Sequence, residues 1–203
     1  MNMNAGRLAT RIEYSLIVVL MLIGAGPARA VGQDDQHAAT PQHHNSSVDQ
    51  QNQMGAFVRI VRESTERFRD VSVAEAEGYA LQFGCVSGSD AGAMGLHFVK
   101  GSLVGDDVLD PTRPEILIYE PTSNGRLRLT GADFLVLADV WHARHPAPPE
   151  LMGQLLHLFE SPNRFGLPAF YTLHVWAWKE NPNGTFVNWH PNVSCDGFTP
   201  QNH

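Results

Sequence analysis

Hydrophobic and polar positions change rhythm three times along the chain. Residues 1–30 carry a basic start at Arg7 and Arg11, an unbroken apolar run from Leu16 to Ile23, then Gly24, Gly26, Pro27 and the small-x-small triplet Ala28-Arg29-Ala30. Residues 31–54 hold Gln, Asn, His, Asp and Ser with almost nothing apolar. From Phe57 the spacing becomes helical. Phe57, Ile60, Val61, Ser64 and Phe68 share one stripe, and Arg59, Arg62, Glu63, Glu66, Arg67 and Arg69 fill the other face, which predicts an amphipathic helix packed on something else. Ser72 and Glu75 have capping-box spacing, so a second, short helix is expected there, ending at Gly78.

From Tyr79 the period drops to two. Tyr79–Phe83, Leu96–Val99, Ile116–Glu120, Leu127–Leu137 and Phe170–Lys179 are rich in β-branched and aromatic residues and read as strands. Pro121 to Arg126 is a turn, with Asn124-Gly125 able to take positive φ, and Gly131 marks a bulge or bend in the long fourth strand. Gly88 to Gly95 reads as a flexible connection, Trp141 to Glu150 as an exposed loop, and Met152 to Phe159 as a short strand or irregular segment. The expected architecture is α+β, a mostly antiparallel β-sheet with the N-terminal amphipathic helix packed on it.

Length and composition place this fold outside the cytoplasm. The first thirty residues have the layout of a signal peptide, and their apolar run is shorter than the roughly 20 residues of a bilayer span. A retained anchor is the competing reading. Cleavage leaves the mature chain starting near Val31, with a disordered polar leader over 31–54 and one domain over 55–203, exported to a periplasmic or extracellular space and without a stable membrane anchor. The whole chain has a formal charge of −7, and losing Arg7, Arg11, Arg29 and Glu13 makes the remainder more acidic by two. That balance disfavours nucleic acid and anionic lipid as partners. The two cysteines, Cys85 and Cys195, are expected to form a disulfide. Closing a loop of order 100 residues stabilises by up to about 4.7 kcal/mol in the chain-entropy treatment. The alternative is a thiolate metal ligand with His190 five residues before Cys195.

Candidate chemistry centres on histidine. In Leu173-His174-Val175-Trp176-Ala177-Trp178 a period of two puts His174, Trp176 and Trp178 on one side. Glu120 ends an apolar strand on the side of Ile116 and Ile118, where a carboxylate needs a cation, a metal or strong hydrogen bonds; Arg128 and Arg164 are ordinary partners. His97 is the polar side chain of Ala93 to Val99, with Gly95 leaving room beside it. Two imidazoles and a carboxylate from three strands, His97, Glu120 and His174, make a recurrent set for zinc, copper or iron, with His190 or His157 as a fourth ligand. A different class is a metal-free module binding a small ligand among Trp176, Trp178 and Tyr171 or Trp189. A third is a structural envelope protein with satisfied core histidines. His37, His43 and His44 are solvent-exposed leader residues, and Asn45, Asn183 and Asn192 open glycosylation sequons. Neither a Gly-x-Ser-x-Gly elbow nor a P-loop nor a dinucleotide fingerprint is present, so no nucleotide cofactor is expected.

At Met94-Gly95-Leu96-His97, Pro114 to Pro121, and Leu173 to Trp178 through Asn181-Pro182 to Val193-Ser194-Cys195, the chain resembles a group of exported bacterial proteins with no assigned activity. The resemblance spans most of the region after Phe68. It implies an envelope location and one domain.

Overall fold

The computed structural model describes residues 42–199 other than Ser89. The signal-peptide reading, His37 and the first part of the polar leader lie outside the described residues, as do the side chains of His43, His44 and Asn45.

Helix α1 spans Gln42–Thr65, so the described part of the polar leader is helical rather than irregular. Residues 47–53 are exposed; burial begins at Phe57 and continues through Val61 and Thr65. The second half is held by more than its apolar stripe. Arg62 donates from Nε to the Ala177 carbonyl, and Thr65 Oγ1 accepts from the Trp178 indole at 3.0 Å. A 3-10 turn, Glu66–Arg69, sends Phe68 into the core. Helix α2 follows at Val71–Ala76. Its cap is not the expected Ser72. The helix starts earlier, at Val71, so Asp70 takes the N-cap position and accepts from the Ser72 N–H at 3.0 Å and from its hydroxyl at 2.8 Å, which puts Ser72 inside the first turn.

The strands are β1 Ala80–Ser87, β2 Ala93–Val99, β3 Ile116–Pro121 and β4 Leu127–Leu137, with the single helical turn α3 Gly101–Val104 between β2 and β3. Helix α4, Ala138–His142, leads into the loop expected after Trp141. Then come β5 Glu150–Leu151, β6 Gln154–Leu155, β7 His157–Phe159 and β8 Phe170–Val175. Six strands form one antiparallel sheet in the order β1-β2-β3-β4-β8-β7, and β5 pairs with β6 apart from it. The turn between β3 and β4 closes as its sequence predicts, with Gly125 at φ +78 and its N–H on the Thr122 carbonyl at 2.9 Å.

Side-chain parity divides the sheet into two apolar faces. Leu96, Phe98, Leu117, Tyr119, Phe134, Leu173 and Val175 face the helices and pack with Phe57, Val61 and Phe68. Ile116, Ile118, Leu135 and Phe170 point the other way, where Trp176 and Val193 cover them. The bulge foreseen near Gly131 is there: Ile118 pairs with Gly131 and the next residue, Tyr119, with Leu129, so Thr130 is extra. Only glycine fits at 131, since a Cβ would stand 2.3 Å from the Val175 carbonyl oxygen.

The second face is covered by the chain beyond β8. Cys85 and Cys195 form a disulfide across 110 positions, tying this covering segment to edge strand β1. A bridge between Ala93 and His190, with N–H···O contacts of 3.2 and 3.1 Å, fastens it to β2. The thiolate-ligand alternative is thereby removed for both cysteines. No described helix is long and apolar enough to cross a membrane.

Candidate metal centre

Three buried polar side chains meet on the second face of the sheet. His97 comes from β2, Asp133 from β4 and His174 from β8, with exposures of 4%, 3% and 3%. Asp133 and His174 are directly paired across the β4–β8 ladder, and His97 reaches towards them over β3, where its register partner is Ile118. The two imidazoles meet edge to face, centroids 5.7 Å apart. One ligand atom from each of the three residues lies within 4.8 Å of the other two.

Hydrogen bonding prepares this group unequally. His97 Nδ1 is 3.1 Å from the Gly95 carbonyl, which can only accept, so that nitrogen carries the proton and Nε2 keeps its lone pair. Gly95 supports this by its backbone: φ is +101, and a Cβ there would lie 2.5 Å from the Tyr119 oxygen. Asp133 Oδ1 accepts from the Thr172 hydroxyl at 2.5 Å. His174 has neither ring nitrogen hydrogen-bonded, although Nδ1 comes within 3.5 Å of Asp133 Oδ2. Proximity without alignment is not a hydrogen bond, and a buried imidazole left this way is costly unless something else occupies its lone pair.

Burial also sets the charge. Loss of hydration pushes His97 down to about 4, helped by neighbouring His174, and pushes His174 down to about 3. It pushes Asp133 up to about 6 against the Thr172 hydrogen bond and the attraction of His97. At pH 7 the group is therefore two neutral imidazoles and a carboxylate, the protonation states that metal coordination requires.

The group forms the floor of a cavity with about 30 Å³ of free volume, room for a water-sized occupant. Its walls are apolar, among them Met94, Ile116, Leu135, Phe165 and Phe170. Asn188 reaches in from the covering segment, and its buried Oδ1 has no hydrogen-bond partner.

Glu120 does not join the two histidines. It accepts from Arg128 and, at 2.6 Å, from Lys179 Nζ, and these cations hold its carboxyl below the usual range despite burial. Its strand parity is that of Ile118, but it lies at the far end of β3, opposite Arg128, whereas Asp133 lies opposite Ile116. His190 is fully buried and structural: its Nε2 faces the Glu180 carbonyl at 2.9 Å and its Nδ1 accepts from the Asn192 N–H at 3.0 Å, leaving no lone pair for a metal. His157 is exposed on β7.

The tryptophans do not share a pocket either. Strand β8 ends at Val175, and the close turn from Ala177 N–H to the Val175 carbonyl breaks the alternation. Trp176 still shares the second face with His174, its indole donating to Val187 O, but Trp178 turns to the helix side and meets Thr65. Trp189 rests half-buried against Gly88, and Tyr171 faces the helices with its hydroxyl on His142. The aromatic walls of the cavity are phenylalanine.

Asp133 carried the same signal that singled out Glu120, a carboxylate inside an otherwise apolar strand. The Thr130 bulge explains why Asp133 shares a face with His97: it resets the alternation of β4 after Leu129. Two histidines and one aspartate at the base of an apolar cavity make a group that could hold a metal ion. No family model, curated protein or solved structure matches the chain.

Proposed function

We propose that His97, Asp133 and His174 hold one divalent transition-metal ion, with at least one coordination position open to the cavity. The observation that carries this is His174, buried with both ring nitrogens unbonded beside a carboxylate and a second imidazole. Metal–ligand bonds of about 2.0–2.2 Å place donor atoms about 3 to 3.5 Å apart, so side-chain rotations within the group suffice to close it on an ion. Two imidazoles and a carboxylate suit zinc or non-haem iron. The Gly95 carbonyl supplies the outer-shell hydrogen bond that fixes a ligating imidazole in the correct tautomer. Secretion into an oxidising space fits the N-terminal thirty residues, the disulfide and the resemblance to exported bacterial proteins.

The test is elemental analysis of the untagged protein after reconstitution with zinc, copper and iron, beside His97→Ala and His174→Ala. One ion per chain in the wild type is expected, with little in either variant while circular dichroism shows both folded. A wild type that retains none of the three ions sinks the proposal.

A further inference from the structure

The mouth of the cavity is a cluster of phenylalanines. Phe165 stands edge-on to Phe83, Phe159 and Phe170, with centroid separations of 5.4, 6.4 and 6.0 Å. Phe83 differs from the rest. It is 46% exposed and has φ +63, where a bulky side chain is strained, and it sits in the β1 bulge between Gln82 and Cys85. Strain of this kind collects at ligand clamps and is retained when the surroundings impose it. Inside, few polar atoms are uncommitted. Asp133 Oδ1 is taken by Thr172 and His97 Nδ1 by Gly95, whereas the His174 nitrogens and Asn188 Oδ1 have no partner.

We propose that this pocket binds a small aromatic molecule bearing one hydroxyl, a phenol, with its oxygen in the cavity and its ring held at the mouth by Phe83, Phe159 and Phe165. The inference rests on the metal reading above, because the phenol oxygen is placed to give a lone pair to the ion. Size decides the orientation. A free volume of about 30 Å³ admits a hydroxyl but does not enclose a ring. Chemistry decides the class. A hydroxyl can offer a lone pair to the ion and a proton to Asn188 Oδ1 together, which a carboxylate or a bare arene cannot do. An ammonium is repelled by the ion, since a divalent metal with one carboxylate and two neutral imidazoles keeps a net positive charge. An aliphatic alcohol lacks the ring that edge-to-face phenylalanines favour.

Cobalt(II) in the site makes the experiment readable, because its visible spectrum reports ligands. The cobalt-loaded protein is titrated with phenol, cyclohexanol, toluene and azide, in the wild type and in Phe165→Ala. Phenol is expected to shift the spectrum saturably and toluene to leave it unchanged. Phenol affinity should fall about tenfold in Phe165→Ala and be about tenfold weaker for cyclohexanol in the wild type. Cobalt content and the azide response should be the same in both proteins. A spectrum moved by azide but not by phenol overturns the inference and leaves the metal reading intact. If the wild type takes up no cobalt, the metal reading falls, and calorimetry of phenol with the metal-free protein decides the pocket separately. Heat that disappears in Phe165→Ala keeps the pocket, and no heat overturns it.

Discussion

His174 and Glu115 are buried for different ends. His174 has no hydrogen-bond partner, which in an interior with effective dielectric far below that of water is a standing cost of about 1–3 kcal/mol per orphaned group. An ion at the three side chains converts that cost into a binding contribution. Glu115, 1% exposed, is structural: its Oε2 accepts the Leu135 N–H at 3.0 Å, continuing the ladder past the start of β3. Burial pushes its carboxyl up to about 8. Below its ordinary value of 4.5 the group is protonated both folded and unfolded. As pH rises from 4.5 towards 8 the unfolded chain is ionised while folded Glu115 stays protonated, so this residue lowers stability over that window and the loss levels off above 8. Glu115→Gln keeps the acceptor and removes the titration. The stability difference, variant minus wild type, should therefore grow by on the order of 3 kcal/mol between about pH 4.5 and 8.5. Urea unfolding at the two pH values measures it, and a difference that stays flat contradicts a raised Glu115.

At the scale of elements, the site depends on two irregularities in otherwise regular strands. Gly95 lets β2 pass close to Tyr119 and aims its carbonyl at His97. Gly95→Ala should destabilise the protein by more than about 1 kcal/mol, since φ is +101 and there is no space for the methyl. It should also lower metal affinity, both read by thermal melts with and without added ion; unchanged melts in both conditions would remove the role given to Gly95. The second irregularity is the Thr130 bulge. The buried half of α1, helix α2 and five of the sheet strands were legible, because burial on one face writes a period of 3.6 or 2 into the sequence and a capping box marks a helix start, whereas the short α3 and α4 carry no such signal. His97 and His174 were legible for the same reason, as lone polar residues on apolar strands. The choice between Glu120 and Asp133 was not, because both satisfy that criterion and only register distinguishes them: Asp133 stands across from His174, Glu120 across from Arg128. Trp176 keeps the side of His174 that the period of two assigns to it, with ring centroids 5.9 Å apart; Trp178 was misplaced because the strand stops at Val175, and the closing turn there involves backbone groups that side-chain patterning does not record.

Across the whole molecule, the two faces of the sheet are closed by different means. The helical face is covered by an element formed from local contacts and joined by a large apolar stripe. The face with the histidines is covered by an irregular segment held by the Cys85–Cys195 disulfide, the Ala93–His190 bridge and the ion pair of Lys179 with Glu120. Replacing both cysteines by serine should cost about 2–5 kcal/mol and loosen the segment over the site more than the helical core. Hydrogen exchange should then rise around residues 188–195 with little change at Phe57 to Val61, and an ion held as proposed by His97, Asp133 and His174 should dissociate faster. Uniform loosening of both faces would refute that division.

The segment fastened by Cys195 also supplies Asn188, so the cavity is finished only when residues 176–199 have been laid over the sheet. Contacts of such long sequence separation carry a loop-closure cost that must be met before they form. An ion entering before that moment meets an open, wet group of side chains; one arriving afterwards must pass the phenylalanine mouth. If the three side chains hold an ion as proposed, its identity would be decided by what is dissolved around the chain while the disulfide is being made, and oxidation would act as the timing step of metal choice.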